Sequence, residues 1–473
     1  MDEDSGPNPS RLLSDLPWSI VLPAGCGKTQ LIVGIAAATP TGSKPLLILT
    51  HTNAGVDALR SRLRRLGVEP KKYDLLTIDS WAKFLSGHFR VLATSNDSLA
   101  VNEGDWSSIR AGALKVIESE HIADLIRASY SASIVDEYQD CDPSQHAIIS
   151  KLKEYIPVGV LGDPLQGIFE FGSSSVVDWD AVEAIFPTKS LEIKPYRWIE
   201  RNPELGESLL AIRKRLLKSQ PIDLSQEEKI NWIEASPKNQ RDVCFEALHR
   251  EGKVIALHQQ ANQCYSLGRN LKGCFGVMEE IQCRIVRDFI KIVDEGDSGK
   301  IASATLKFAR DCCIGIGNPL DKKCETDYSN KIKRKFQKGS KPSASISALN
   351  DIVDNPSTRN IRIALKALRD IGEVFRREAW VICVKVLEAM ELNPEKTGME
   401  ILDKIRGRTR FIGRFERKRL LSRTLLVKGL EYDECIVLNA DGMNARNLYV
   451  ALTRGIDKVT VLSSSPVITP TGF

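Results

Sequence analysis

Leu22-Pro23-Ala24-Gly25-Cys26-Gly27-Lys28-Thr29 is the stretch that decides the fold. A β-rich apolar run, Ser19–Leu22, leads into it, and a helix-like run, Gln30–Ala38, follows. Strand, small-residue turn and helix in that order let backbone N–H groups close on phosphate oxygens at a helix N-terminus. Lys28 would neutralise β/γ-phosphate charge, and Thr29 would offer a hydroxyl to Mg²⁺. The expected nucleotide-binding residues are Gly25, Cys26, Gly27, Lys28, Thr29 and Gln30. Leu22 stands where the full G-x-x-x-x-G-K-[ST] pattern has its first glycine.

A second element is Ile134-Val135-Asp136-Glu137-Tyr138-Gln139-Asp140. Here an apolar strand delivers two carboxylates at its C-terminal end, where open α/β sheets bind ligands. Asp136 would hold Mg²⁺ and Glu137 would orient the attacking water. Such a pair alone is often a solvated turn. Beside the phosphate loop it points to an NTPase with ATP and Mg²⁺ as cofactors.

Around these elements, β-rich runs alternate with helical patterns, which argues parallel α/β sheets. The candidate strands are Ser19–Leu22, Leu46–Thr50, Ala132–Val135, Val158–Leu161 and Leu191–Ile193, then Val254–Leu257, Cys435–Leu438 and Val459–Leu462. From about Gly276 to Arg414 the pattern is mostly amphipathic helix, with Ile281, Ile285, Phe289 and Ile292 on one expected face. Leu365, Leu368, Ile371 and Phe375 share another. The chain has 473 residues, a length for two to four domains, and a net charge of only +5, so bulk charge does not identify a nucleic-acid binder. No apolar run approaches the twenty or so residues a bilayer needs. The start Met1-Asp2-Glu3-Asp4 lacks a signal-peptide core, and eleven cysteines carry no C-x-x-C spacing. A cytoplasmic protein with reduced thiols, away from membranes, is expected.

The Asp136–Asp140 stretch resembles the DExQD box of the UvrD/Rep/PcrA group of superfamily 1 helicases. Further blocks resemble that family's motifs in order: Thr50-His51-Thr52-Asn53-Ala54, Thr77–Trp81, Gly162–Phe171, Pro195-Tyr196-Arg197, Lys428–Asp433 and Leu448–Arg454. The resemblance implies two RecA-like P-loop NTPase domains with parallel sheets, each interrupted by a mainly helical insertion. The first domain is expected over 1–85 and 128–187 with its insertion at 86–127, and the second over 188–273 and 416–473 with a reduced insertion at 274–415.

The resemblance also implies roles. Gln166 would sense the γ-phosphate, Tyr196 stack on adenine, and Arg197 contact the γ-phosphate. Gly429 and Glu431 would serve nucleotide binding, with Glu431 on the ribose. Arg454 would be the arginine finger, so that Lys28, Asp136, Glu137, Gln166, Arg197 and Arg454 form the catalytic set. His51, Thr52, Asn53, Phe169 and Phe171 stand at DNA-contacting positions. The bland readings are core packing for Phe171, a core or turn aromatic at Tyr196, a satisfied histidine at His51, and surface ion pairs for Arg197 and Arg454.

Three positions depart from the family pattern: Asp79 and Leu425 where it has histidines, and Gly172 where it has arginine. No Q-motif glutamine precedes the phosphate loop. Two basic runs, Lys331–Lys341 and Lys404–Arg423, suit either a phosphate backbone or a solvated face. The implied activity is an ATP-dependent DNA helicase or single-strand translocase moving 3′→5′ on single-stranded or tailed duplex DNA. The compact length resembles the helicase subunit of Gabija-type anti-phage systems, which implies an OLD-family nuclease partner. The alternatives are a DNA-stimulated ATPase sensor and a regulatory or assembly subunit that docks through its helical insert.

Overall fold

The computed structural model describes residues 7–94, 105–168, 176–280, 283–317, 320–337, 339–412 and 418–472, without the side chains of 406–412. The chain divides into two compact units. The first comprises Met1–Asp223, Gly442–Asp457 and Val467–Phe473; the second comprises Leu224–Asp441 and Lys458–Pro466.

The first unit is built on β1 (Trp18–Val21), β2 (Leu46–Thr50), β3 (Tyr73–Thr77), β4 (Ala132–Val135) and β5 (Val158–Gly162). They form a parallel sheet in the order β1-β5-β4-β2-β3. Every residue of β2, β4 and β5 is buried, as a parallel sheet covered on both faces requires. The two-residue period sorts the strand side chains. Leu46 and Ile48 join Ile32 and Leu59 in one core, while Leu47 and Leu49 join Trp81 and Ile148 in the other. Between β3 and β4 the chain forms helices Ile78–His88, Arg90–Ala93, Trp106–Ile117 and Glu120–Ser129. Ile109, Val116 and Ile122 of those helices share the second core, so this insertion packs on the sheet's own apolar face. A short antiparallel pair, β6 (Ile222–Asp223) with β15 (Val467–Ile468), also belongs to the first unit.

The second unit carries β7 (Ile230–Glu234), β8 (Val254–Leu257), β9 (Gly276–Val277), β12 (Arg419–Ser422), β13 (Tyr432–Val437) and, from Lys458 on, β14 (Gly455–Ser463). The sheet order is β7-β14-β13-β8-β12-β9, with parallel registers for β14–β7, β13–β8, β12–β8 and β12–β9. Between β9 and β12 lie helices Arg284–Glu295, Ser298–Cys312, Lys322–Ser329, Ser343–Asp354, Thr358–Ile371, Arg377–Leu392 and Gly398–Ile412, with a small antiparallel pair, β10 (Cys313–Ile314) and β11 (Glu373–Val374). They enclose a core of their own, including Phe289, Phe308, Leu349, Leu365 and Trp380.

Two parallel sheets, each interrupted by a mainly helical insertion, are thus present as expected. Local expectations need correction. Leu191–Ile193 is irregular: Leu191 is only half-buried and Ile193 is 44% exposed, so the run is not covered as a sheet strand would be. The buried stripe of Arg284–Glu295 is Val286, Phe289 and Ile290, flanked by Ile285 and Val293; Ile292 lies outside it at 37% exposure. Ile281 lies outside the described residues. Phe375 packs in the second sheet's core, not with the insertion helices. Among the described residues no helix is long and apolar enough to cross a membrane.

Candidate active site

The phosphate loop leaves β1 and enters helix Lys28–Ala38 through two left-handed glycines, Gly25 at φ 71° and Gly27 at φ 90°. That backbone favours glycine, and the space enforces it too. A Cβ on Gly25 would lie 2.5 Å from the Trp198 ring, and one on Gly27 would lie 3.2 Å from the Tyr196 ring. Lys28 is 9% exposed; its Nζ donates to Leu22 O at 3.2 Å and sits 4.0 Å from Glu137 Oε1. Thr29 is half-buried in the helix's first turn, and Gln30 is exposed. Burial pushes the Cys26 thiol up to about 11 against the pull of Lys28, so Cys26 acts as a small packing residue and not a nucleophile.

The carboxylates at the end of β4 face this loop. Asp136 is buried, its N–H donating to Leu49 O at 2.8 Å and its Oδ1 accepting from the Glu137 N–H at 2.9 Å. Glu137 adopts φ 53°, ψ 40°, a left-handed conformation that for a non-glycine residue costs on the order of 1–3 kcal/mol and clusters at functional sites. Gln139 Nε2 donates to Glu137 Oε2, and Gln139 Oε1 accepts from the Asp163 N–H at 2.9 Å. Gln166 is 4% exposed and donates through Nε2 to Asp163 Oδ2 at 3.0 Å. The structure therefore brings Lys28, Asp136, Glu137 and, through Gln139 and Asp163, Gln166 into one polar chain.

Tyr196 and Arg197 group with the first unit. Tyr196 is 47% exposed beside Gly27, while Arg197 donates from its N–H to Gly25 O at 3.0 Å and from NH1 to Thr453 O at 2.8 Å. Arg454 also groups with this unit and is 1% exposed. Its Nε donates to Val450 O at 2.8 Å and its NH2 to Thr453 Oγ1 at 2.9 Å, both within or beside its own helix, Ala445–Leu452. Gly429 (φ 78°) and exposed Glu431 lie in the second unit.

Of the DNA-contact candidates, Thr52 caps helix Asn53–Arg65, its Oγ1 accepting from the Gly55 N–H at 3.1 Å; His51 and Asn53 flank it half-buried. Phe169 and Phe171 lie outside the described residues, as does Gly172. In the first basic run, Lys331, Lys333 and Arg334 pair with Asp297, Asp354 and Asp327. In the second, Arg419 is buried against the carbonyls of Arg250 and Gly252, and Arg423 pairs with Glu280 at 2.6 Å.

Two residues escape the sequence reading. The Tyr449 hydroxyl accepts from the Ala24 N–H at 3.1 Å, fixing the phosphate loop's first turn, and burial raises its pKa far above a phenol's ordinary value. It sits inside the quoted Leu448–Arg454 block. Arg213 NH2 donates to Asp163 Oδ1 at 2.8 Å from helix Pro203–Leu217. Burial opposes its charge, and Asp163 outweighs that and raises its pKa. The available signal is weak: a charge set among Leu205, Leu209, Ile212 and Leu216 on a buried stripe.

No group of three or more His, Cys, Asp or Glu suited to a metal ion occurs among the described residues. A site of Thr29 and Asp136, as the sequence expects, would leave a Mg²⁺ ion to take its remaining ligands from phosphates and water.

Residues 96–180, which hold both Asp136–Asp140 and Gly162–Gln166, match the UvrD/REP helicase N-terminal domain family. The chain is 33% identical over 69 residues to the RecBCD enzyme subunit RecB of Haemophilus influenzae, covering 14% of this chain and 6% of that protein. The crystal structure of the Pif1 helicase from Candida albicans aligns at 13% identity and a TM-score of 0.30 over 52% of this chain and 53% of that one. With a parallel sheet that sets a phosphate loop beside paired strand-end carboxylates, the family match supports a superfamily 1 helicase.

Proposed function

We propose that the chain is an ATP-dependent DNA helicase or single-stranded DNA translocase of the UvrD/Rep type, moving 3′→5′. The observation that carries this reading is the meeting of Lys28, beyond β1, with Glu137, beyond β4, 4.0 Å apart, with Asp136 buried next to Glu137. Lys28 and the loop's N–H groups bind the phosphates. Glu137 orients the attacking water, and Gln166 reads the γ-phosphate. Tyr196, exposed beside Gly27, offers a face to the adenine. Gly429 and Glu431 are assigned nucleotide contacts by the family resemblance alone. Arg197 and Arg454 add positive charge as the transition state forms. Thr29 and Asp136 would hold Mg²⁺, which supplies neutralising charge on the phosphates. For Arg454 this role requires its guanidinium to leave Val450 and Thr453 in turnover.

DNA would lie against His51, Thr52, Asn53, Phe169 and Phe171. A motor of this kind suits an anti-phage complex in the cytoplasm with an OLD-family nuclease supplying the cutting. Strand separation on a 3′-tailed duplex, with ATP, is the test. Unwinding by wild type and none by Lys28→Ala is expected. ATP hydrolysis without strand separation would favour the DNA-stimulated sensor instead.

A further inference from the structure

Asp163 is the hub of the polar chain, and the cation that holds it comes from outside every quoted motif. Asp163 is fully buried. Its N–H donates to Gln139 Oε1 at 2.9 Å, its Oδ2 accepts from Gln166 Nε2 at 3.0 Å, and its Oδ1 accepts from Arg213 NH2 at 2.8 Å. A side-chain amide has one acceptor end and one donor end. With Oε1 of Gln139 taken by the Asp163 N–H, its NH₂ end must point the other way, and there it donates to Glu137 Oε2. A carboxylate accepts only, so this is the end it requires. The Gln166 amide is oriented by the same logic on Asp163 Oδ2.

The setting leaves little slack. A Cβ on Gly162 would lie 2.8 Å from Gln139 Oε1 and 2.6 Å from the Trp179 ring. Arg213 is 8% exposed, and its Nε is buried with no acceptor among the described residues, so the Asp163 contact is what fixes the guanidinium. A buried carboxylate that loses its cation must find other partners or move.

We propose that Arg213 is a positioning residue for ATP turnover: it holds Asp163, and Asp163 sets the amide ends of Gln139 and Gln166 and thereby the Glu137 carboxylate. The proposal rests on reading the first unit as an ATPase. Lys28 meets this chain only at its Glu137 end, 4.0 Å away, and is held independently by Leu22 O, so nucleotide binding and turnover separate.

The test is a set of four full-length proteins: wild type, Arg213→Lys, Gln139→Met and the double variant. Steady-state ATP turnover is measured beside equilibrium binding of a fluorescent ATP analogue. Arg213→Lys and Gln139→Met are each expected to lower kcat about tenfold or more while affinity stays within about threefold. Because both break one chain of bonds, the double variant should be within about threefold of the worse single. A merely structural arginine would shift melting temperature and leave kcat of the folded protein alone. Wild-type kcat in folded Arg213→Lys, or losses that multiply in the double, overturns the proposal. If Arg213→Lys does not fold, normal turnover in Gln139→Met overturns it as well. A wild-type protein without ATP turnover instead removes the ATPase reading on which the proposal stands.

Discussion

The two helical insertions are attached in opposite ways. The first has no core of its own, sharing the sheet's apolar face, and one guanidinium ties it down. Arg110, on helix Trp106–Ile117, reaches Asp79 through Nε at 2.7 Å and NH2 at 2.8 Å, and pairs with Asp142 as well. Gln145 adds a bond to Asp79 at 2.9 Å. The second insertion has a full core and meets its parent sheet through a buried pair, Arg376 with Glu279, at 2.7 and 2.6 Å. Arg376 also lies 3.9 Å from the centre of the Tyr265 ring, whose hydroxyl donates to Glu279. The lesson is about what each joint touches. Asp142 caps helix Pro143–Leu152 just after Asp140, so the first joint adjoins the catalytic turn. The second joint fixes the root of a large, self-sufficient body.

This contrast breaks if the joints respond alike. Removing one partner of a buried pair strands the other, at a cost of about 3–5 kcal/mol. Arg376→Met should therefore destabilise the second unit by that amount, read as a lower denaturation midpoint. Arg110→Met leaves Asp79 and Asp142 at 24% and 12% side-chain exposure against 2% for Glu279, so a smaller loss of about 1–3 kcal/mol is expected. Arg110→Met should lower ATP turnover the more of the two, because its partner adjoins Asp140. Equal stability losses, or a turnover loss confined to Arg376→Met, would undo the comparison.

A smaller effect sharpens it. Burial works to raise the Asp142 pKa, but the Ser144 hydroxyl, the Gln145 N–H and Arg110 outweigh it and leave it lowered from 3.8. A depressed carboxylate stabilises the fold above its unfolded pKa, and that contribution is lost as pH falls through the folded value. Denaturation of wild type and Asp142→Asn should thus differ at neutral pH and converge in acid below 3.8. The difference is expected to be under about 1 kcal/mol, since solvent screens the pair. A gap that persists in acid would place Asp142's contribution elsewhere.

Much of the candidate phosphate site is legible in the sequence, because phosphate chemistry constrains residue type and spacing. Gly25 and Gly27 must be small where Trp198 and Tyr196 press on the loop, and Lys28 and Glu137 must follow strand ends. Strands β2, β4 and β8 read correctly because they are mostly apolar and fully buried, whereas β3 and β7 are interrupted by exposed polar residues, Asp74 in one and Asn231 and Glu234 in the other. Arg213 and Gln139 are illegible for another reason. What makes them matter is a bond to Asp163 from a distant helix or turn, and nothing in local spacing announces it. Asp79 shows the converse. It reads as a departure from the family's histidine, and only the structure supplies its partner, Arg110.

The central claim is that the first unit hydrolyses ATP under the control of DNA. Steady-state ATP turnover of the full chain, with and without single-stranded DNA across a salt series, tests it most directly. Turnover that rises with DNA is expected, with an apparent DNA affinity that weakens with salt by a logarithmic slope of about −0.7 for each phosphate contacted. Glu137→Gln should bind ATP and fail to turn it over. Hydrolysis indifferent to DNA at low salt, or undiminished in Glu137→Gln, would contradict it.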